Sequence, residues 1–260
     1  LVIPLGVLGA AIATLIAQAV SAVLVTVTLM YRTEGMKLCL SQIRMYKRML
    51  QSILKIGLPA GFEAIMYSIS NIIVQVSINN FGVDTMAAWT AYSKIDFIFW
   101  MINSAFGISV MTFVGQNYGA GKWDRIRRGT KICLGMALIS AVSVSIILMS
   151  AERFLFGIFV NDAGVVEIGI RMMNVIAPAY LLFAFIEVFS GALRAQGAVV
   201  VSTLITMVGI CVLRMIWVTL VAAHGTLEQV IICYPITWAA GALAMSIYYI
   251  YKQRKIFQAR

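Results

Sequence analysis

Residues 123–150 read W-D-R-I-R-R-G-T-K-I-C-L-G-M-A-L-I-S-A-V-S-V-S-I-I-L-M-S: a basic run, then 19 residues without a charge. A helix needs about 20 mainly apolar residues to cross the hydrocarbon core of a bilayer. Basic loops stay on the cytoplasmic side. This one stretch therefore predicts a membrane span and its direction. Similar apolar stretches occupy 2–30, 56–80, 86–115, 168–193, 198–222 and 227–251, which makes seven in all.

Composition agrees. Hydrophobic residues make up 62% of the chain and charged residues 12%, against about 25% charged in an ordinary soluble domain. Mean hydropathy is +0.94. The net charge of +10 does not indicate nucleic acid, because the basic residues alternate from gap to gap. Arg32, Lys37, Arg44, Lys47, Arg48 and Lys55 fill one gap, and Lys122, Arg125, Arg127, Arg128 and Lys131 another. Arg194 and then Lys252, Arg254, Lys255 and Arg260 continue the series. The opposite gaps carry mostly acids: Asp84, Glu152, Asp162, Glu167 and Glu228. This places the C-terminus in the cytoplasm and gives the excess charge a role in topology and in affinity for anionic lipid. The chain begins at Leu1 rather than Met, just before a helix, as expected of a piece of a longer protein.

The expected fold is an all-α integral membrane protein, a six-helix transmembrane bundle preceded by one extra transmembrane helix. Residues 1–31 form that extra helix, 32–55 a basic linker, 56–251 the bundle and 252–260 a basic tail. Small residues recur four apart in the first helix (6/10, 9/13, 13/17 and 17/21), a packing face. Within the linker, residues 39–50 have the pattern of a short amphipathic helix at the membrane surface. Pro59, Pro178 and Pro235 sit in or beside spans and predict bends.

Several functions are excluded by the residues present. The segment G-Q-N-Y-G-A-G-K at 115–122 has the wrong spacing for a phosphate loop, and Trp123 stands where a hydroxyl would hold magnesium. It reads as a glycine-rich helix end. Cys39, Cys133, Cys211 and Cys233 form no C-x-x-C pair, and His224 is the one histidine. Neither pattern makes a metal site. No nucleophile–base pair stands out, so the chain does not read as an enzyme and needs no cofactor.

Ionisable residues inside membrane spans face a cavity or a partner. Glu63 lies about 12 Å along its span from Lys55 at 1.5 Å per residue. Steps of four from Glu63 give Tyr67, Asn71 and Gln75, a polar stripe suited to hydrogen bonding between helices or, with a carboxylate at its head, to lining a water-filled cavity. Glu187 lies about 10 Å from Arg194 on an antiparallel span. The two carboxylates therefore share a level and suggest a common cation or proton site. A pairing of Glu187 with Arg194 on its own helix is the plainer alternative. Asp96 and Arg214 lie at similar depth in their spans, and a structural charge pair is expected between them.

Four motifs in order resemble the multidrug and toxic compound extrusion (MATE) family: G-V-L-G-A-A-I-A-T-L-I-A-Q at 6–18, I-G-L-P-A-G at 56–61, F-V-G-Q-N-Y-G-A-G at 113–121 and S-G-A-L-R-A-Q-G at 190–197. The resemblance implies a twelve-helix, two-lobe exporter that is monomeric once both lobes are present. This chain would supply the sixth helix, the inter-lobe linker and the C-terminal lobe. Members with a defined cation site in this lobe carry acids at the positions of Tyr67 and Phe183. Here the acids stand one turn away, at Glu63 and Glu187, and both are displaced in the same direction. The implied activity is antiport of organic cations or amphipathic drugs and toxins against Na⁺ or H⁺ at the plasma membrane, with small organic compounds and lipid as partners. The alternatives are a lipid-linked oligosaccharide flippase of related fold and a non-transporting membrane scaffold.

Overall fold

The computed structural model describes residues 6–31, 38–39, 41, 43–221 and 225–258, excluding the side chains of 6, 7, 10, 257 and 258. The expectations for His224, for Arg32, Lys37 and Leu40 of the linker, for Arg260, and for the small side chains at 6 and 10 lie outside these residues. Among the described residues there is no strand, and seven helices are long and apolar enough to cross a membrane. The all-helical membrane fold is thus observed.

The chain divides into two compact units, Leu1–Ile53 and Leu54–Arg260. In the first, α1 (Gly6–Tyr31) exposes its apolar side chains. Its polar groups stay within the helix: the Thr26 and Thr28 hydroxyls donate to the carbonyls of Ala22 and Leu24 at 2.7 and 2.8 Å. Such internal bonds let hydroxyl side chains tolerate lipid. The amphipathic helix expected at 39–50 does not form as a separate element. Helix α2 (Lys47–Asn79) begins at Lys47 and takes in only its last four residues.

The second unit holds most of α2, then α3 (Val83–Gly119), α4 (Trp123–Ser150) and a short α5 (Glu152–Phe159). The next span is made of α6 (Ala163–Ile176) and α7 (Tyr180–Ala195), joined by a 3-10 turn at Ala177–Ala179 that contains Pro178. Proline lacks the N–H that a continuous helix needs there, and the α-helix is interrupted at this point. Asp162 caps α6, accepting from the backbone N–H groups of Gly164 and Val165 at 2.8 and 3.1 Å. The following span is interrupted twice: α8 (Val199–Thr206), a π-helical stretch (Met207–Val212), α9 (Leu213–Ile216) and a second π stretch (Trp217–Val221). A short α10 (Leu227–Ile231) and the long α11 (Cys233–Gln258) complete the unit.

Helix α7 is the centre of this bundle, packed against α3, α4, α8 and α11. Two glycines let α3 and α7 approach closely. A Cβ added to Gly191 would lie 2.8 Å from the Gly107 carbonyl oxygen and 2.9 Å from Val110 Cγ1. Close approach through small residues is the usual basis of helix association in membranes, where no hydrophobic force acts between helices.

The 115–122 segment is a helix end, as its composition indicates. Helix α3 stops at Gly119, and Gly121 takes φ 65°, a left-handed conformation that favours glycine. The basic tail is not a separate element, because α11 continues into it as far as Gln258. Lys252 Nζ donates to the Gln196 carbonyl, and Gln253 Nε2 to Gln196 Oε1, each at 3.0 Å. All four cysteines are free thiols.

Candidate functional site

Two cavities run beside the inward face of α2, with Tyr67 and Trp100 lining both. The smaller, of 350 Å³, contains Glu63, Glu187 and Arg194. The larger, of 560 Å³, contains Asn71, Gln75, Asp96 and Arg214 within a mainly aromatic wall. Every residue of the predicted polar stripe therefore lines one or both cavities, and the two glutamates share one of them.

In the carboxylate cavity, a single guanidinium nitrogen of Arg194 donates to both carboxylate oxygens of Glu63 at 2.7 Å. The Thr203 hydroxyl donates to the same carboxylate at 2.9 Å. Glu63 thus ties α2 to both α7 and α8. The plainer alternative for Arg194, a pairing with Glu187, is not what forms. Glu187 makes no hydrogen bond or ion pair among the described residues. Its carboxylate lies over Gly107 of α3, where a Cβ would collide with it. Tyr67 and Phe183, the positions at which the resemblance implies acids, line this cavity as well. Glu63 and Glu187 therefore open into the space bordered by those positions.

The expected charge pair between Asp96 and Arg214 is not formed; the three ion pairs among the described residues lie elsewhere. Asp96 is satisfied by neutral donors, Tyr180 Oη and, at 2.6 Å, Trp100 Nε1. Arg214 donates from Nη1 to Asn71 Oδ1 at 3.1 Å and stacks over the Tyr234 ring at 4.3 Å. Both residues line the aromatic cavity, but each has found a neutral partner closer to hand. Gln75 bonds along its own helix to Asn79 at 2.8 Å.

Arg194 and Thr203 were not anticipated as partners of Glu63. In the sequence Arg194 looks like a topology marker at a helix end, and Thr203 carries no signal. Trp100 was detectable as the residue four positions after Asp96, the spacing that brings helix neighbours together.

The geometry has relatives. The MatE family model matches residues 59–220. The chain is 25% identical to the probable multidrug resistance protein YoeA of Bacillus subtilis (strain 168), over 97% of this chain and 56% of that protein. It is 23% identical to the multidrug export protein MepA of Staphylococcus saprophyticus, over 84% of this chain and 51% of that protein. A solved outward-facing structure of a multidrug resistance MATE family transporter of the MOP superfamily superposes with a TM-score of 0.87 at 17% identity, covering 98% of this chain and 59% of the other. That likeness shows the fold. The chain spans about half the length of the curated relatives it matches. With the family model covering most of the bundle and the fold agreeing, the chain belongs to the MatE family of multidrug and toxic compound extrusion transporters.

Proposed function

We propose that the protein containing this chain is a secondary antiporter. It exports organic cations or amphipathic drugs and toxins across the plasma membrane in exchange for Na⁺ or H⁺, with its C-terminus in the cytoplasm. The observation that carries this reading is the pairing of two carboxylates, Glu63 and Glu187, with one guanidinium, Arg194, around a single cavity. With both carboxylates ionised, one negative charge is left over, which one monovalent cation balances.

Arg194 acts as an internal stand-in for that cation. A proton, a sodium ion or an organic ammonium reaching Glu63 competes with the guanidinium for the carboxylate. Because the Glu63 contacts hold α2 to α7 and α8, the competitor also changes how α2 is held. A ligand shifts a conformational equilibrium by as much as it prefers one state over the other. Two ligands that exclude each other from one site, each preferring a different arrangement of α2, give exchange. The names of the relatives, multidrug resistance and multidrug export proteins, support drugs and toxins as the substrate class.

The test uses the full-length protein in inverted membrane vesicles. Ethidium accumulation is followed under an imposed Na⁺ gradient and, separately, a pH gradient. One of the two should drive accumulation in wild type and so name the ion. Glu63→Gln and Glu187→Gln should each lower the driven rate at least tenfold with membrane insertion unchanged. Wild-type rates in both variants would remove the cavity from the mechanism.

A further inference from the structure

The aromatic cavity differs in its chemistry from the carboxylate cavity beside it. Its acid, Asp96, already accepts one hydrogen bond on each carboxylate oxygen. Its base does not match. Arg214 is 1% exposed and uses only Nη1, on the neutral amide oxygen of Asn71. Its Nε and Nη2 are buried and have no acceptor among the described residues. Trp238 Nε1, a donor that cannot accept, and Tyr67 Oη are in the same condition. All three residues line this one cavity.

Arg214 and Trp238 lack an acceptor, and the Tyr67 hydroxyl, which can donate or accept, lacks any partner. A carboxylate meets that need better than a neutral oxygen, because charge-assisted bonds to guanidinium are shorter and stronger. The backbone around Arg214 is unusual as well. The single turn of α9 that carries it is bracketed by π-helical stretches at Met207–Val212 and Trp217–Val221. Such turns occur frequently at functional sites. Trp89, Tyr92 and Trp100 complete a wall of ring faces and edges around 560 Å³, a volume in the range that holds small organic ligands.

We propose that the aromatic cavity is a binding site for an aromatic carboxylate, with the anionic group on Arg214 and the ring stacked among the tryptophans and tyrosines. The bound anion accepts from Nε and Nη2 of Arg214, the two nitrogens that the bond to Asn71 leaves without a partner. This site is separate from the Glu63–Glu187 pair and does not rest on the antiport reading.

Isothermal titration calorimetry on the full-length protein in a neutral maltoside detergent, without any gradient, tests it. The probes are 2-naphthoate, its neutral isostere 2-naphthamide, and 2-naphthyltrimethylammonium. Wild type should bind naphthoate at least tenfold more tightly than either of the others. Arg214→Gln should abolish that preference, and Glu63→Gln should leave it intact. Arg214→Lys, which keeps the charge but has no second nitrogen to pair with the carboxylate, should weaken naphthoate binding at least tenfold and keeps the test open if Arg214→Gln does not fold. Equal binding of naphthamide or the ammonium compound, a preference that survives Arg214→Gln, naphthoate binding unchanged in Arg214→Lys, or no binding of naphthoate would each overturn the proposal.

Discussion

Arg194→Met is expected to destabilise the bundle by about 3 kcal/mol, while the double variant Glu63→Gln/Arg194→Met is expected to regain most of that loss. The Glu63 and Arg194 side chains are 13% and 27% exposed, so the pair is largely withdrawn from solvent. Removing one member of a buried pair leaves an uncompensated charge and typically costs about 3–5 kcal/mol. The lower end applies here, because Thr203 still donates to Glu63 and some solvent reaches the pair. In the double variant the cavity keeps the wild-type balance of one negative charge, on Glu187, and the glutamine oxygen can keep the Thr203 bond. Midpoints of unfolding in mixed detergent micelles measure both. The second half of this expectation concerns transport: the double variant, though stable, should remain unable to couple ethidium movement to a gradient. Full recovery of transport in the double variant would mean that the pair only holds helices together. A single variant as stable as wild type would mean that the contact contributes nothing.

The second large effect concerns Gly191. Gly191→Ala is expected to cost about 2 kcal/mol, and Gly191→Leu about 3 kcal/mol or more, in the range of overpacking a close-packed core. The new Cβ meets the Gly107 carbonyl at 2.8 Å, and a backbone atom cannot swing away as the end of a side chain can. Helices α3 and α7 must therefore separate along the contact on which the bundle is built. Gly107 is also the surface on which the Glu187 carboxylate lies, so separating the helices displaces the site. Gly57→Ala is the control. Nothing lies within 4 Å of a Cβ there, and alanine in a helix is favoured over glycine by about 1 kcal/mol. Comparable unfolding midpoints for Gly191→Ala and Gly57→Ala would show that the α3–α7 contact can relax.

The spans and the alternating basic gaps were legible in the sequence because each depends on a local run of residues. The run at 132–150 shows a span without reference to anything else in the chain. The interruption at Pro178 and the helix end at Gly121 were legible for the same reason, each following from one residue's backbone chemistry. The level shared by Glu63 and Glu187 was also within reach, since depth follows from counting residues along two antiparallel helices. Rotation about the helix axis was not. Arg194 stands seven residues from Glu187 on its own helix and 131 from Glu63, yet the bond goes to Glu63. The Asp96–Arg214 expectation failed for the same reason. Depth matched, but Tyr180, 84 residues away, and Asn71, 143 residues away, were nearer in space. The π stretches around Arg214 leave no mark in an apolar run such as M-V-G-I-C-V at 207–212.

Those stretches make the aromatic wall a matter of chain length as well as composition. A π turn holds one residue more than an α turn closed by the same helix, so it behaves as a built-in insertion. Deleting one residue from 207–212 would restore α geometry there and leave Arg214 on the same face of the helix, because the wide turn already absorbs its extra residue. The span would keep its hydrophobicity and would still cross the bilayer. None of 207–212 lines the aromatic cavity, so the surplus residue supplies only a wider turn in the backbone beside Arg214, and its removal would test that turn while every side chain of the wall was retained.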